Sequence, residues 1–294
     1  MGPGGERVSL AIRTLRLFQA AAKPGWRGRA VAAFLNGLLR LFSPRKRRIE
    51  ANLSLVHPEK DRAWRTDMRR RLYGHLAWTV TELLALQRDP SQALHWVESV
   101  EGGHHMEALQ APGRGALFVS AHLGNWELLA AWYAQFRRAA ERPSPYVVSQ
   151  EIHDREISDL VREYRERSGI GLLPKGISTL EFVRLLKEGA HIALLADISW
   201  LGGVRLPFMG HDCTNTTGPA VLSLLASVPI VPVGIYRTAP FRHTIRFFPP
   251  LPVPEERDRR RRAELLTLEV NRALEKMIAP RPELWFWMHN RWKN

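Results

Sequence analysis

A single cysteine, Cys213, leaves no partner for an intramolecular disulfide, excludes a multi-cysteine zinc site and points to a reducing compartment. Long apolar runs are missing too. The longest charge-free stretch near the start, Ala30 to Leu39, falls far short of the roughly 20 apolar residues that cross a bilayer, so no transmembrane helix is predicted. Arg13 and Arg16 split the only segment that could serve as the apolar part of a secretory signal, which argues against one. Acidic residues are scarce as well: 29 Asp and Glu face 43 Lys and Arg, for a net charge of +14 and a pI near 10.7. Such a chain is drawn to something anionic, whether nucleic acid, an acidic protein or a membrane surface. No helix-turn-helix, zinc finger or RNP-like motif accompanies the charge, so no nucleic-acid partner is expected. Wholesale disorder is excluded by 45% hydrophobic residues in 294, enough for a substantial core.

The positive charge is concentrated at the start. Residues 1–75 hold 17 Lys or Arg and 5 Asp or Glu, which is +12 of the +14. Val8, Ile12, Leu15 and Phe18 share one helical stripe, a second amphipathic stretch runs from Arg29 to Phe42, and Pro44-Arg45-Lys46-Arg47-Arg48 follows. Basic amphipathic helices of this kind suit the headgroup layer of an anionic membrane. The alternative is a helical hairpin whose apolar face packs on the main body. The later run Arg257 to Arg262 reads as a solvated helix start.

The helical pattern continues from Ala51 to Gln87 and stops near Asp89-Pro90. Thereafter short apolar runs alternate with amphipathic helices. The runs are Gly115–Ser120, Tyr146–Ser149, His191–Ala196 and Val228–Tyr236; the helices fall near residues 126–136, 157–167, 178–187, 219–226 and 263–278. Continuous apolar strands separated by helices predict an α/β fold, with a mostly parallel central sheet covered on both faces. The expected division is an N-terminal amphipathic helical region, residues 1–90, and an α/β domain, residues 91–294. In such sheets ligands bind beyond the carboxyl ends of strands, where His122, Asp197 and Arg237 lie.

His122-Leu-Gly-Asn-Trp-Glu127 follows the first of these strands and opens a helix. Five helical residues turn through about 500°, so the two side chains cannot meet if both are helical. With His122 in the turn before the helix, and Gly124 letting the chain double back, Glu127 could reach the ring and orient a general base. The plain alternative is a capping histidine beside a surface glutamate, and chance alone supplies about one such spacing in a chain of this composition. No Gly-x-Ser-x-Gly elbow or His-Glu-x-x-His motif competes.

Ser120-Ala-His-Leu-Gly-Asn-Trp-Glu127 strongly resembles the late lipid A acyltransferases, the lauroyl/myristoyl transferase family. Other blocks appear in that family's order. They are Val97–Gly102, Tyr164–Gly169, Leu195-Ala-Asp197, Gly203–Gly210 leading to Thr216-Thr-Gly218, and the closing Pro282–Lys293 with its Trp-x-His-x-Arg-x-Lys pattern. The likeness runs from about residue 45 onward. Two departures stand out: Ile198 occupies the place where the family usually has Gln, and amphipathic helices replace the clear transmembrane anchor of many members, as in acyltransferases resembling the mycobacterial phosphatidylinositol mannoside enzyme.

The resemblance implies transfer of a fatty acyl chain from an acyl carrier protein or coenzyme A thioester to a hydroxyl of a membrane glycolipid such as a lipid A precursor. A phosphatidylinositol mannoside or other phospholipid acceptor is the alternative. His122 would be the base and Glu127 its orienting partner, with no metal and no cofactor beyond the acyl thioester co-substrate. Backbone N–H groups near Gly124 and Asn125 would steady the oxyanion. Asn125, Arg167, Asp197 and Arg237 are the candidate substrate-binding residues, the arginines for phosphate; ordinary salt bridges or a turn cap are their structural alternatives. Thr217-Gly218-Pro219 reads as a helix cap, Trp287 and His289 as a packed terminal element, and Cys213 as inert. The implied partners are an anionic membrane surface, acyl carrier protein or coenzyme A thioester, and a glycolipid, at the cytoplasmic face of the inner membrane. A non-catalytic basic membrane- or nucleic-acid-binding protein is the reading from another class.

Overall fold

The computed structural model describes residues 17–111, 113–149, 155–174 and 176–292. The amphipathic stripe beginning at Val8 lies outside the described residues except at its end, where residues 17–21 are helical. Three helices follow: α1 (Trp26–Phe42), α2 (Lys46–Val56) and α3 (Arg62–Leu86). The continuous helical pattern expected from Ala51 to Gln87 is thus broken. Pro58 lies in the break, and Asp61 starts α3 afresh by accepting the Trp64 N–H at 2.8 Å.

Beyond them the chain alternates: α4 (Gln92–Trp96), β1 (Val97–Glu101), α5 (Gly103–Glu107), β2 (Ala116–Ser120), α6 (Trp126–Ala139), β3 (Tyr146–Ser149), α7 (Arg155–Arg167), β4 (Gly171–Pro174), α8 (Thr179–Lys187) and β5 (His191–Leu195). Then follow β6 (Ser199–Phe208), β7 (His211–Asn215), α9 (Gly218–Ala226), β8 (Ile230–Ala239), β9 (Arg242–Phe247), α10 (Arg259–Ile278) and a 3₁₀ turn, Pro282–Leu284. Seven strands form one sheet in the order β1-β9-β8-β2-β5-β3-β4. Neighbours are parallel except β8 and β9, so β1 and β9 run against the rest. β6 and β7 form a separate hairpin whose two-residue turn, Met209-Gly210, has positive φ at both positions, as a turn matching strand twist requires.

The expected α/β fold is therefore present, and its cause is visible in burial. Every residue of β2 is buried, because helices cover both faces. On one face Phe118, Val231 and Val233 pack with Leu128, Leu129 and Trp132 of α6. On the other, Leu117, Val119 and Ile192 pack with Leu222 of α9 and Leu274 of α10. Ile49 and Leu53 of α2, with Leu72 and Leu76 of α3, join that second core, so residue 90 marks no break in the packing. The expected cap of α9 is displaced by one residue: Thr217 makes no capping bond, and the Thr216 hydroxyl accepts the Gly218 N–H at 3.1 Å instead.

Candidate active site

β2 and β5 are in register from Ala116↔His191 to Ser120↔Leu195, so the residues two past each strand end, His122 and Asp197, are brought together. The His122 N–H donates to Asp197 Oδ2 at 2.9 Å, and His122 Nδ1 lies 2.8 Å from Asp197 Oδ1. An ionised carboxylate only accepts, so Nδ1 carries a proton, and in the neutral ring Nε2 keeps its lone pair. Asp197 is fully buried and also accepts the Trp285 indole N–H at 2.8 Å. Burial alone would raise the Asp197 pKa, but the imidazole, His289 and the indole hold it well below the usual carboxylate range. Burial alone would likewise depress His122; the charge and hydrogen bond of Asp197 outweigh it, and the imidazole pKa is raised.

The turn carrying His122 is held from several sides. Gly124 has φ of 61°, and a Cβ there would lie 1.9 Å from the Ile235 carbonyl oxygen, so only glycine fits. Its N–H donates to Leu284 O at 3.0 Å, and the Phe286 N–H donates to His122 O at 2.9 Å. Asn125 caps α6 by accepting the Leu128 N–H at 3.1 Å.

Beneath the turn lies a second buried carboxylate. Glu82 of α3 accepts from Arg237 Nε at 2.9 Å and Nη2 at 2.7 Å, from the Phe241 N–H at 3.1 Å, from His243 Nε2 at 3.1 Å and from Asn125 Nδ2 at 2.9 Å. Arg237 also donates to both His75 Nδ1 and O and to Thr79 Oγ1, and His75 Nε2 in turn reaches Gly124 O at 3.2 Å.

The expected orientation of His122 by Glu127 is corrected by this geometry. Glu127 sits in the first turn of α6, but Arg165 takes its carboxylate, Nη2 to Oε1 at 2.6 Å and Nε to Oε2 at 3.1 Å. Its charge reaches the imidazole only through space, as the smallest of the influences on it. Phosphate binding by Arg237 is corrected too: all five of its N–H groups are spent on Glu82, His75 and Thr79 inside the protein. The Asn125 side chain is fully buried and consumed by its cap and Glu82, so it does not face a substrate. Arg167 donates to the carbonyls of Gln87 and Arg88, tying α7 to the end of α3 away from the cavity wall. Sequence alone does not link Asp197 with His122, although both are strand-end residues, nor does it bring in His289, whose ring lies 4.6 Å from that of His122. His289 has its pKa lowered to about 4, chiefly by burial, and is therefore neutral.

Among the described residues, His122, Asp197 and His289 are the group that could hold a metal ion, with ligand atoms within 4.8 Å of one another. A metal bound through His122 Nδ1 would have to displace the contact that joins it to Asp197. His122, Trp126 and the Glu127–Arg165 pair instead line a cavity of about 590 Å³ whose walls are mainly apolar, drawn from α6, α7, α8, α9 and the central strands.

The sequence profile described as bacterial lipid A biosynthesis acyltransferase matches residues 22–294. A phosphatidylinositol mannoside acyltransferase of Mycolicibacterium smegmatis is 30% identical over 146 residues, covering 47% of this chain and 45% of that protein, so the match spans less than half of that relative. A lipid A biosynthesis lauroyltransferase of Escherichia coli is 24% identical over 261 residues, 87% of this chain and 81% of that one. The solved 1-acyl-sn-glycerophosphate acyltransferase of Thermotoga maritima aligns with 92% of this chain and 100% of its own at 12% identity and a TM-score of 0.37. With the profile covering all but the first 21 residues, the chain belongs to the bacterial lipid A biosynthesis acyltransferase family.

Proposed function

We propose that this protein transfers a fatty acyl group from a thioester, on acyl carrier protein or coenzyme A, to a hydroxyl of a membrane glycolipid. His122 is the general base and Asp197 the carboxylate that orients it. The observation that carries this reading is the His122–Asp197 pair standing at an apolar cavity, with Nδ1 engaged by the carboxylate and Nε2 left to accept a proton when the ring is neutral. Nε2 takes the proton of the acceptor hydroxyl as its oxygen attacks the thioester carbonyl. The C–S bond then breaks, and the departing sulfur recovers the proton from the imidazolium, leaving an ester and a thiol. Negative charge on the carbonyl oxygen is met by the positive end of α6, through first-turn N–H groups that have no partner within the helix. Glu127, clamped by Arg165, adds negative charge near the ring and helps keep it basic.

Both relatives act on lipids by name, and either a lipid A precursor or a mannosylated inositol lipid suits the proposed acceptor class. Attachment to the cytoplasmic face of an anionic membrane fits the surface of α1. Trp26, Phe34, Leu41 and Phe42 are exposed there beside Arg27, Arg29 and Arg40, and no described helix is long and apolar enough to cross a membrane. Thiol release from acyl-coenzyme A or acyl carrier protein in the presence of glycolipid vesicles tests the reaction. His122→Ala is expected to lower it about 10²–10⁴-fold in protein that still folds, with a lowered melting temperature because the buried Asp197 carboxylate loses a partner; wild-type turnover in a folded variant removes the proposed base. Lipid mass spectrometry of cells with and without the protein identifies the acceptor.

A further inference from the structure

The cavity has a direction. On α6 its lining residues are Glu127 and, in one stripe at helical spacing that covers about 10 Å from the His122 end, Trp126, Leu129, Ala130 and Tyr133. Along β2 the lining passes from His122 through Ser120 to Phe118, about 13 Å in the same sense. At its far end the Tyr133 hydroxyl lies 2.6 Å from Nδ1 of His191, the first residue of β5. His122 therefore stands at the carboxyl ends of the strands and Tyr133 at their amino ends.

Tyr133 is anchored there. His191 Nε2 donates to Arg114 O at 3.0 Å, which leaves Nδ1 as an acceptor for both the Tyr133 hydroxyl and Arg137 Nη1 at 2.8 Å. Gln110 Nε2 donates to the Tyr133 oxygen at 3.1 Å, and Arg137 Nη1 donates to Gln110 Oε1 at 3.2 Å. The ring itself packs edge-on against Phe118 with centroids 5.1 Å apart. Behind an apolar wall thus lies a closed polar network, and the ring cannot swing aside without leaving buried donors unpaired.

We infer that Tyr133 is the floor of the acyl pocket and sets the longest chain the protein accepts, with Ala130 fixing the width midway. This rests on the proposed acyl transfer. A terminal methyl reaching the ring meets a side chain held by the polar network behind it, so each added methylene must strain that network or lift the thioester away from His122. The cavity also has a wall on the opposite face of the sheet, from Phe182 and Leu222, which supplies the control.

The test uses saturated acyl-coenzyme A donors of graded length, with thiol release as one readout and displacement of a fluorescent fatty acid by free fatty acids of the same lengths as the other. Tyr133→Ala is expected to move the preference to longer chains and Ala130→Phe to shorter ones, each changing the long-to-short kcat/KM ratio about tenfold or more. Phe182→Ala is expected to leave it in place. Ala130→Phe spares the polar network, so it decides the matter even if Tyr133→Ala does not fold. A folded Ala130→Phe protein with the wild-type length profile, or a profile moved by Phe182→Ala instead, overturns the inference. A wild-type protein that releases no thiol, yet whose fatty-acid cutoff shifts in Ala130→Phe, keeps the floor and removes the acyl-transfer reading.

Discussion

Two carboxylates are wholly buried a few residues from the same turn, and they are compensated in different ways. Glu82 is matched by Arg237, a permanent cation, and by three further donors besides, so its charge is sealed. Asp197 is matched by an imidazole whose other nitrogen lines a cavity. Both sit well below the ordinary carboxylate range despite burial, which would raise them. The first arrangement fixes geometry. The second leaves a proton that can move, because its partner's charge is optional. Low carboxylate pKa alone therefore does not mark a reactive site; the titratability of the partner does.

Breaking the second arrangement should have the largest effect on turnover. Asp197→Asn is expected to reduce thiol release about 10²–10⁴-fold, since an amide can hold the wrong tautomer of His122 while the fold persists in thermal melts. Breaking the first should act on stability instead. Glu82→Gln is expected to cost about 3–5 kcal/mol in denaturant unfolding, because Arg237 would be left buried without its counter-charge. Activity of whatever remains folded would fall much less than in Asp197→Asn; the reverse pattern would merge the two roles.

The contrast can be sharpened by pH. The raised His122 pKa means that base catalysis grows as pH rises through a value above 6.5, and Asp197→Asn is expected to move that limb to lower pH. His191 works in the opposite sense. Burial, with Arg137 nearby, lowers it to about 4, so the native state binds fewer protons than the unfolded chain below about 6.5. Stability is then present above pH 6.5 and is lost as pH falls toward 4, with a slope of up to about 1.4 kcal/mol per unit. Melts of His191→Gln should show a shallower acid slope, the remainder coming from other buried histidines such as His289. The smallest effect is expected from Trp285→Phe, which removes one donor from Asp197 and keeps the His122 contact. Turnover should fall about tenfold or less, the equivalent of about 1 kcal/mol.

β2, β5 and β8 were legible because strands covered on both faces must be apolar throughout. β1 and β9 were not, since Val97–Glu101 is an exposed edge and Arg242–Phe247 alternates buried with solvent-facing residues. His122 and Asp197 could each be found as strand-end residues, but their partnership depends on register between β2 and β5, and a separation of 75 residues carries no trace of it. Glu127 looked the better partner because it was near in sequence, and nothing in the chain announced that Arg165 would claim it. The role of Arg237 is hidden for the same reason: Glu82, in Thr81-Glu-Leu-Leu, is an ordinary helical residue until the sheet is folded against α3.

The strap formed by Leu284, Trp285 and Phe286 has an implication for biosynthesis. A nascent polypeptide that has emerged as far as α10 already possesses every strand of the sheet. At that stage the Gly124 amide, the His122 carbonyl and one Asp197 oxygen still await the bonds that this strap will supply. The sheet can thus be complete in sequence while the turn still lacks the bonds that residues 284–286 supply.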